Sequence, residues 1–144
     1  MTHEWSLRPS LGADALWMAE LRAEVMKADL ERLGRWDETR VRRRFLNAFN
    51  PADTSVIQVG CDDVGLIAVR SEVDSVWIEH FYLRPSCQGR GIGGQVLRQM
   101  MTAHEHHRPF RLNVLQGSPA RRLYERNGFT AEHEDSIDVF LVAR

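Results

Sequence analysis

The reading of the fold turns on Ile78-Glu79-His80-Phe81-Tyr82-Leu83-Arg84-Pro85-Ser86-Cys87-Gln88-Gly89-Arg90-Gly91-Ile92-Gly93-Gly94. The stretch opens as a strand and closes as the first turn of a helix. Between the two lies a loop with glycine at 89, 91, 93 and 94. Glycine lets backbone come close to a bulky ligand and aim successive N–H groups at it. A helix N-terminus behind such a loop adds the positive end of a dipole, which suits phosphate or pyrophosphate. Downstream, Ile92, Val96, Met100 and Ala103 recur at helical spacing with Leu97 and Met101 beside them. Arg98, Gln99, Thr102 and Glu105 take the outer face. Strand, anion-binding loop and helix therefore follow one another.

Two patterns compete for the loop. Gly89-x-Gly91-x-x-Gly94 fits the dinucleotide fingerprint, which needs an acid about 20 residues on at the end of the next strand. That strand reads Phe110-Arg111-Leu112-Asn113-Val114-Leu115 and contains none. Gln88-x-x-Gly91-x-Gly93, preceded by a strand and Leu83-Arg84-Pro85, fits better. A second block reads Ala120-Arg121-Arg122-Leu123-Tyr124-Glu125-Arg126-Asn127-Gly128-Phe129. Together the two segments resemble the coenzyme A loop and the A-x-x-L-Y-x-x-x-G-F block of the GNAT superfamily of N-acetyltransferases. One position departs from that pattern: where many members carry an asparagine three residues before the alanine, this chain has Gly117.

Length and composition are those of an ordinary globular domain. A chain of 144 residues, 43% hydrophobic and 27% charged, is read as one domain, residues 1–144. A net charge of −1 gives no polyanion-binding signal, so nucleic acid is not an expected partner. Cys61 and Cys87 have no paired spacing, which suggests a reduced, cytoplasmic chain. The N-terminus lacks a basic region followed by an apolar run, and no membrane association is expected.

Read in order, the chain gives a short strand at 4–8, a helix at about 11–28 broken by residues 32–36, and a second helix capped by Asp37 that ends before Pro51. Strands follow at 54–59, 64–70 and 75–83, with Gly65 marking a bulge. After the central helix come a strand at 110–115, a short helix at 118–127 started by Ser118-Pro119 and stopped at Asn127-Gly128, and a strand at 137–142. The expected fold is α/β, a mixed and mostly antiparallel central sheet flanked by helices. The order is similar to the GNAT order throughout.

The resemblance implies acetyl transfer from acetyl-CoA to an amine by direct attack in a ternary complex. It implies a backbone run of Phe81, Tyr82 and Leu83 that pairs with the pantetheine arm, with the Leu83 N–H on the thioester carbonyl. Gln88, Gly89, Arg90, Gly91, Ile92, Gly93 and Gly94 would hold the pyrophosphate. Tyr124 would donate a proton to the departing thiolate. Glu79 is the favoured base: at period 2 it shares a face with Phe81 and Leu83, and His80, on the opposite face, is the fallback, with a water chain as a further route. Cys87 reads as a small loop residue and not an acyl carrier. No metal is expected, since of His104, His106 and His107 only the first and last share a helix face. A non-catalytic acyl-CoA-binding module is the alternative reading, against which Tyr124 argues.

The acceptor is less legible. The resemblance implies a pocket shaped by the first two helices, residues 33–37 and the C-terminal strands, and Trp17, Arg35 and Trp36 in those segments permit an aromatic wall. The arginines at 40, 42, 43 and 44 read as a solvated face, or as one arginine reaching over the site. A small amine or peptide is the expected partner, with a carboxylate-bearing amine favoured, and a homodimer is left open.

Overall fold

A computed structural model describes residues 4–104 and 107–144. The strands are β1 (Trp5–Pro9), β2 (Thr54–Val59), β3 (Asp62–Ser71), β4 (Val76–Leu83), β5 (Phe110–Leu115), β6 (Thr130–Glu134) and β7 (Asp138–Ala143), and the helices are α1 (Ala15–Arg32), α2 (Glu38–Ala48), α3 (Ile92–Ala103) and α4 (Ala120–Arg126). The sheet order is β1-β2-β3-β4-β5-β7-β6. Every neighbouring pair is antiparallel except β4 with β5. This is the expected α/β architecture with one strand more than the sequence pattern gives. β6 is exposed at all five positions, so it has no apolar alternation by which to be seen.

Local chemistry sets where the helices start. Asp37 caps α2, its Oδ1 accepting the N–H groups of Thr39 and Arg40 at 3.0 and 2.9 Å. α1 starts later than its apolar pattern because residues 12–14 form a 3-10 turn. There the buried Asp14 carboxylate accepts from the Leu11 N–H and the Trp17 indole, both at 2.8 Å, and from the Arg8 guanidinium at 2.9 and 3.0 Å. Arg8 also reaches Asp63 at 2.8 Å, tying β1 and the start of α1 to β3. α4 begins at Ala120, one residue inside the expected Ser118-Pro119 start, although the Ser118 hydroxyl still accepts the Ala120 N–H at 3.3 Å.

Both sheet faces are covered. Met18, Leu21 and Phe45 of α1 and α2 pack on Val56 and Leu66. On the other face Ile92, Val96, Leu97 and Met100 of α3, with Tyr124 of α4, pack on Ile67, Val69, Ile78, Leu112 and Leu141. α3 thus spans both halves of the sheet.

Two irregularities position the site. The β2–β3 register shifts between Ile57 and Gln58, so Val64 is the extra residue, beside the expected Gly65. Gly65 is required for a different reason. A Cβ there would lie 2.3 Å from the Tyr82 carbonyl oxygen and 2.9 Å from Leu83 Cδ2. The β3–β4 register also shifts: Ala68 faces His80 and Val69 faces Ile78, leaving Glu79 unpartnered across the ladder.

Gly65→Ala should therefore destabilise the protein by about 1–3 kcal/mol or more, because the clash is with backbone and cannot be relieved by a side-chain rotation. A thermal or denaturant melt indistinguishable from the parent would contradict the close approach of β3 to β4.

Candidate active site

β4 and β5 pair at two positions, Val76 with Phe110 and Trp77 with Arg111, and then diverge. The gap opens into a cleft of about 1140 Å³, lined by Ile78–Leu83 on one side, Leu112–Leu115 on the other, and the loop glycines 89, 91, 93 and 94 at one end. Past Trp77 the cleft edge of β4 has no strand beside it. Arg84 N–H donates to the Val64 carbonyl at 2.8 Å. Backbone groups alternate along an antiparallel ladder, so the N–H groups of Phe81 and Leu83 point away from β3 and into the gap. The Leu83 carbonyl is satisfied by the Gln88 side-chain amide at 2.9 Å. That contact fixes the loop against the end of β4.

Beyond Gln88 the loop has the conformation its glycines allow. Gly89 and Gly91 have φ of 74° and 83°. Gly91 caps α3 with no side-chain hydrogen bond to its first-turn N–H groups. Those donors are open to an anion. Gly93 sits where a Cβ would touch Leu83, Leu123 and Phe81, and Gly94 where it would crowd Arg98. Arg90 is exposed at the mouth of the loop.

The side chains at the thioester end sort by face. Phe81 packs beside Tyr124 (ring centroids 6.4 Å apart), which in turn packs on Phe129 at 5.8 Å. Tyr124 is 6% exposed. Burial, with the nearby Tyr82, raises its phenol well above the ordinary value of 10, so it is a neutral hydrogen-bond donor at physiological pH. Its hydroxyl makes no side-chain hydrogen bond among the described residues.

The opposite face holds a polar chain. Arg22 of α1 donates from Nε to the Tyr82 hydroxyl at 3.1 Å and from Nη1 to the Val41 carbonyl. With its oxygen already accepting, the Tyr82 hydroxyl is placed to donate to His80 Nδ1, 3.1 Å away. His80 lies edge-on to Phe45 at 4.9 Å, and its Nε2 is buried without a partner. Burial, then the Arg22 charge, lowers His80 from 6.5 to about 4.

Glu79 does not share the face of Phe81 and Leu83. The bulge resets the alternation, and the Glu79 carboxylate turns to Arg70, whose Nε donates to it at 3.0 Å. It stands on the Tyr82 side, close enough that its charge acts on that hydroxyl. His80 is thus on the same side as Glu79 and not opposite it.

Three arginines of the site escaped the sequence reading. Arg22 carries a visible signal, a charge one turn from Met18 on the apolar face of α1. Arg70 carries none, because its partner is set by the bulge. The Arg32 guanidinium donates to the Gln116 carbonyl at 2.7 Å and to Asp29 at 2.8 Å. It explains the glycine at 117: φ there is 75°, and a Cβ would lie 2.9 Å from Arg32 Nη1. An asparagine would displace that guanidinium.

The tryptophans of α1 and of the α1–α2 connection do not line this cleft. Trp17 and Trp36 line a separate groove of about 750 Å³ with Glu20, Glu24, Lys27 and Arg42. Arg42 is taken by Glu20 at 2.7 Å, whereas Arg35, Arg40 and Arg44 line the main cleft. His104 Nδ1 lies 3.0 Å from the Met100 carbonyl of its own helix. Glu105 and His106 lie outside the described residues. Among those described, no three His, Cys, Asp or Glu side chains are grouped to hold a metal, and no helix is long and apolar enough to cross a membrane.

The sequence profile of the acetyltransferase (GNAT) domain matches residues 51–131, more than half of the chain and including the glycine loop and the Tyr124 block. The chain belongs to the GNAT acetyltransferase family. No curated protein matches it by sequence. Its fold is similar to PH1933 from Pyrococcus horikoshii OT3 (TM-score 0.78, 21% identity, 98% of each chain covered). It is also similar to the PaiA N-acetyltransferase from Thermoplasma acidophilum, solved in complex with coenzyme A (TM-score 0.76, 17% identity, 98% of this chain and 99% of that one). A third is an N-acetyltransferase from Staphylococcus aureus Mu50 (TM-score 0.73, 16% identity, 96% and 100%).

The buried imidazole gives a pH test. The fold favours neutral His80, so its contribution to stability is full above the ordinary pH of 6.5 and is lost as pH falls from there through about 4. An NMR titration should find the His80 ring neutral at pH 5.5 with a midpoint near 4. A midpoint at 6 or above would show that the ring is solvated.

Proposed function

We infer that the protein transfers an acetyl group from acetyl-CoA to a primary amine by direct attack in a ternary complex. The observation that carries this reading is the open β4 edge, with the N–H groups of Phe81 and Leu83 facing a cleft that ends at the uncapped N-terminus of α3. An extended amide chain with a pyrophosphate at one end matches both features. Phe81, Tyr82 and Leu83 provide the strand along which it lies. Gln88, Gly89, Arg90, Gly91, Ile92, Gly93 and Gly94 take the pyrophosphate, the backbone by N–H groups and Arg90 by charge.

The chemistry asks for three things of the protein. The thioester carbonyl gains charge as the amine attacks, and the Leu83 N–H stabilises it; one such donor typically contributes about 3 kcal/mol. The amine must lose a proton, and Glu79 accepts it directly or through water. The thiolate leaves toward Tyr124, which donates a hydrogen bond and then a proton. Burial raises the phenol, but it raises a thiol leaving into the same apolar pocket as well, so the transfer stays within reach. Acid and base lie on opposite sides of β4. That separation suits a nucleophile that enters from one face while the leaving group departs by the other.

Gly91→Glu should abolish acetyl-CoA binding while the fold persists. The glycine's positive φ disfavours any side chain, and a carboxylate would face the phosphates. Unchanged binding by calorimetry in a folded variant would remove the loop from the site.

Tyr124→Phe should retain the fold and acetyl-CoA binding and lose about 10²–10⁴-fold in turnover, the usual range for a general acid. Full turnover, followed as thiol release, would make the tyrosine a packing residue only. Binding of acetyl-CoA without turnover on any amine would favour the non-catalytic module instead.

A further inference from the structure

Hydrogen bonding treats the two signs of charge differently along the acceptor side of the cleft. Its five acids are all hydrogen-bonded, two of them to arginines and three to uncharged donors. Asp29 holds Arg32 at 2.8 Å, Glu79 holds Arg70 at 3.0 Å, and Asp37 is spent on capping α2. In the β6–β7 turn, Asp135 accepts the N–H groups of Ile137 and Asp138 at 2.8 and 2.7 Å, and Asp138 accepts from Asn113 at 3.0 Å.

Three arginines on the same wall are not engaged. Arg35 follows α1, and Arg40 and Arg44 stand one turn apart on α2. Among the described residues none of the three has a carboxylate at salt-bridge distance or donates a side-chain hydrogen bond. Like charges at i and i+4 repel along a helix. An anion placed between them relieves that repulsion and can be gripped by guanidinium forks. A polycationic acceptor would meet the same three charges, with Asp29 and Glu79 already paired to arginines.

We propose that the acceptor is a small amine that also bears a carboxylate, an amino acid or short peptide, with the carboxylate held by Arg35, Arg40 and Arg44 while the amine reaches Glu79. The proposal rests on the acetyl-transfer reading above. It assigns α2 a role in specificity that the coenzyme side of the site does not share.

Matched pairs test it. Amino acids and dipeptides are compared with their own C-terminal amides, alongside spermidine and an aminoglycoside, by thiol release from acetyl-CoA. The free carboxylates should exceed the amides at least tenfold in kcat/KM, and the better of amino acid and dipeptide tells which source of the carboxylate fits. In Arg40→Gln/Arg44→Gln that preference should shrink toward parity through KM, and Arg40→Lys/Arg44→Lys should restore part of it. Equal use of acid and amide, turnover confined to the polyamine or aminoglycoside, or no turnover on any carboxylate-bearing amine would overturn the proposal. Calorimetry of acetyl-CoA binding in the same preparations reports separately on the underlying reading: tight binding with the wrong acceptor preference defeats only the arginine assignment.

Discussion

Two backbone pairs, Val76 with Phe110 and Trp77 with Arg111, join the halves of the sheet, and the site exists because the pairing stops there. A strand that loses its neighbour keeps its donors and acceptors, and buried ones left unmet cost about 1–3 kcal/mol each. The chain satisfies one of them itself, the Leu83 carbonyl, through Gln88. The Phe81 and Leu83 N–H groups stay open. The halves do not drift apart because α3 packs Val96, Leu97 and Met100 into one core shared by β3, β4, β5 and β7. The helix that offers its N-terminus to an anion is therefore also what holds the gap at its width.

β4 divides the cleft into two environments. On the α3 and α4 side Tyr124 lies among Phe81, Phe129 and the aliphatic core, with burial keeping its proton on. On the α1 and α2 side Arg22, Tyr82 and His80 form a directional chain in which the cation donates, the phenol relays, and the imidazole accepts. Burial, and after it the Arg22 charge, keeps His80 uncharged. Glu79 and its partner Arg70 are left at the open end of this face.

What the sequence disclosed was what depends on local chemistry. The Gln88–Gly94 loop could be read because positive φ and close backbone approach demand glycine wherever they occur. Asp37 could be read because a cap satisfies groups two and three residues away. Glu79 could not be placed, since its face depends on a register shift between two strands, and a single extra residue inverts every period-2 inference beyond it. β6 was missed because it buries nothing. Trp17 and Trp36 could not be placed in a particular groove, because α1 presents two faces to two hollows and periodicity does not say which hollow is which. The glycine at 117 became intelligible once Arg32, far away in sequence, was seen to occupy the space of its missing side chain.

The strand that periodicity overlooked is also one of the two edges of the sheet. β6 closes one side of the sheet, and a free strand edge is a template on which another chain can lengthen the sheet. Here that edge is five residues long, with a register slip between Ala131 and His133. Glu132 and Glu134 stand along it, the former bound by Arg111 at 3.0 Å. A strand laid against it would have to follow an interrupted ladder and crowd those carboxylates. The segment with least to contribute to the core is in this way suited to keeping a crowded solution of the protein from growing into extended sheets.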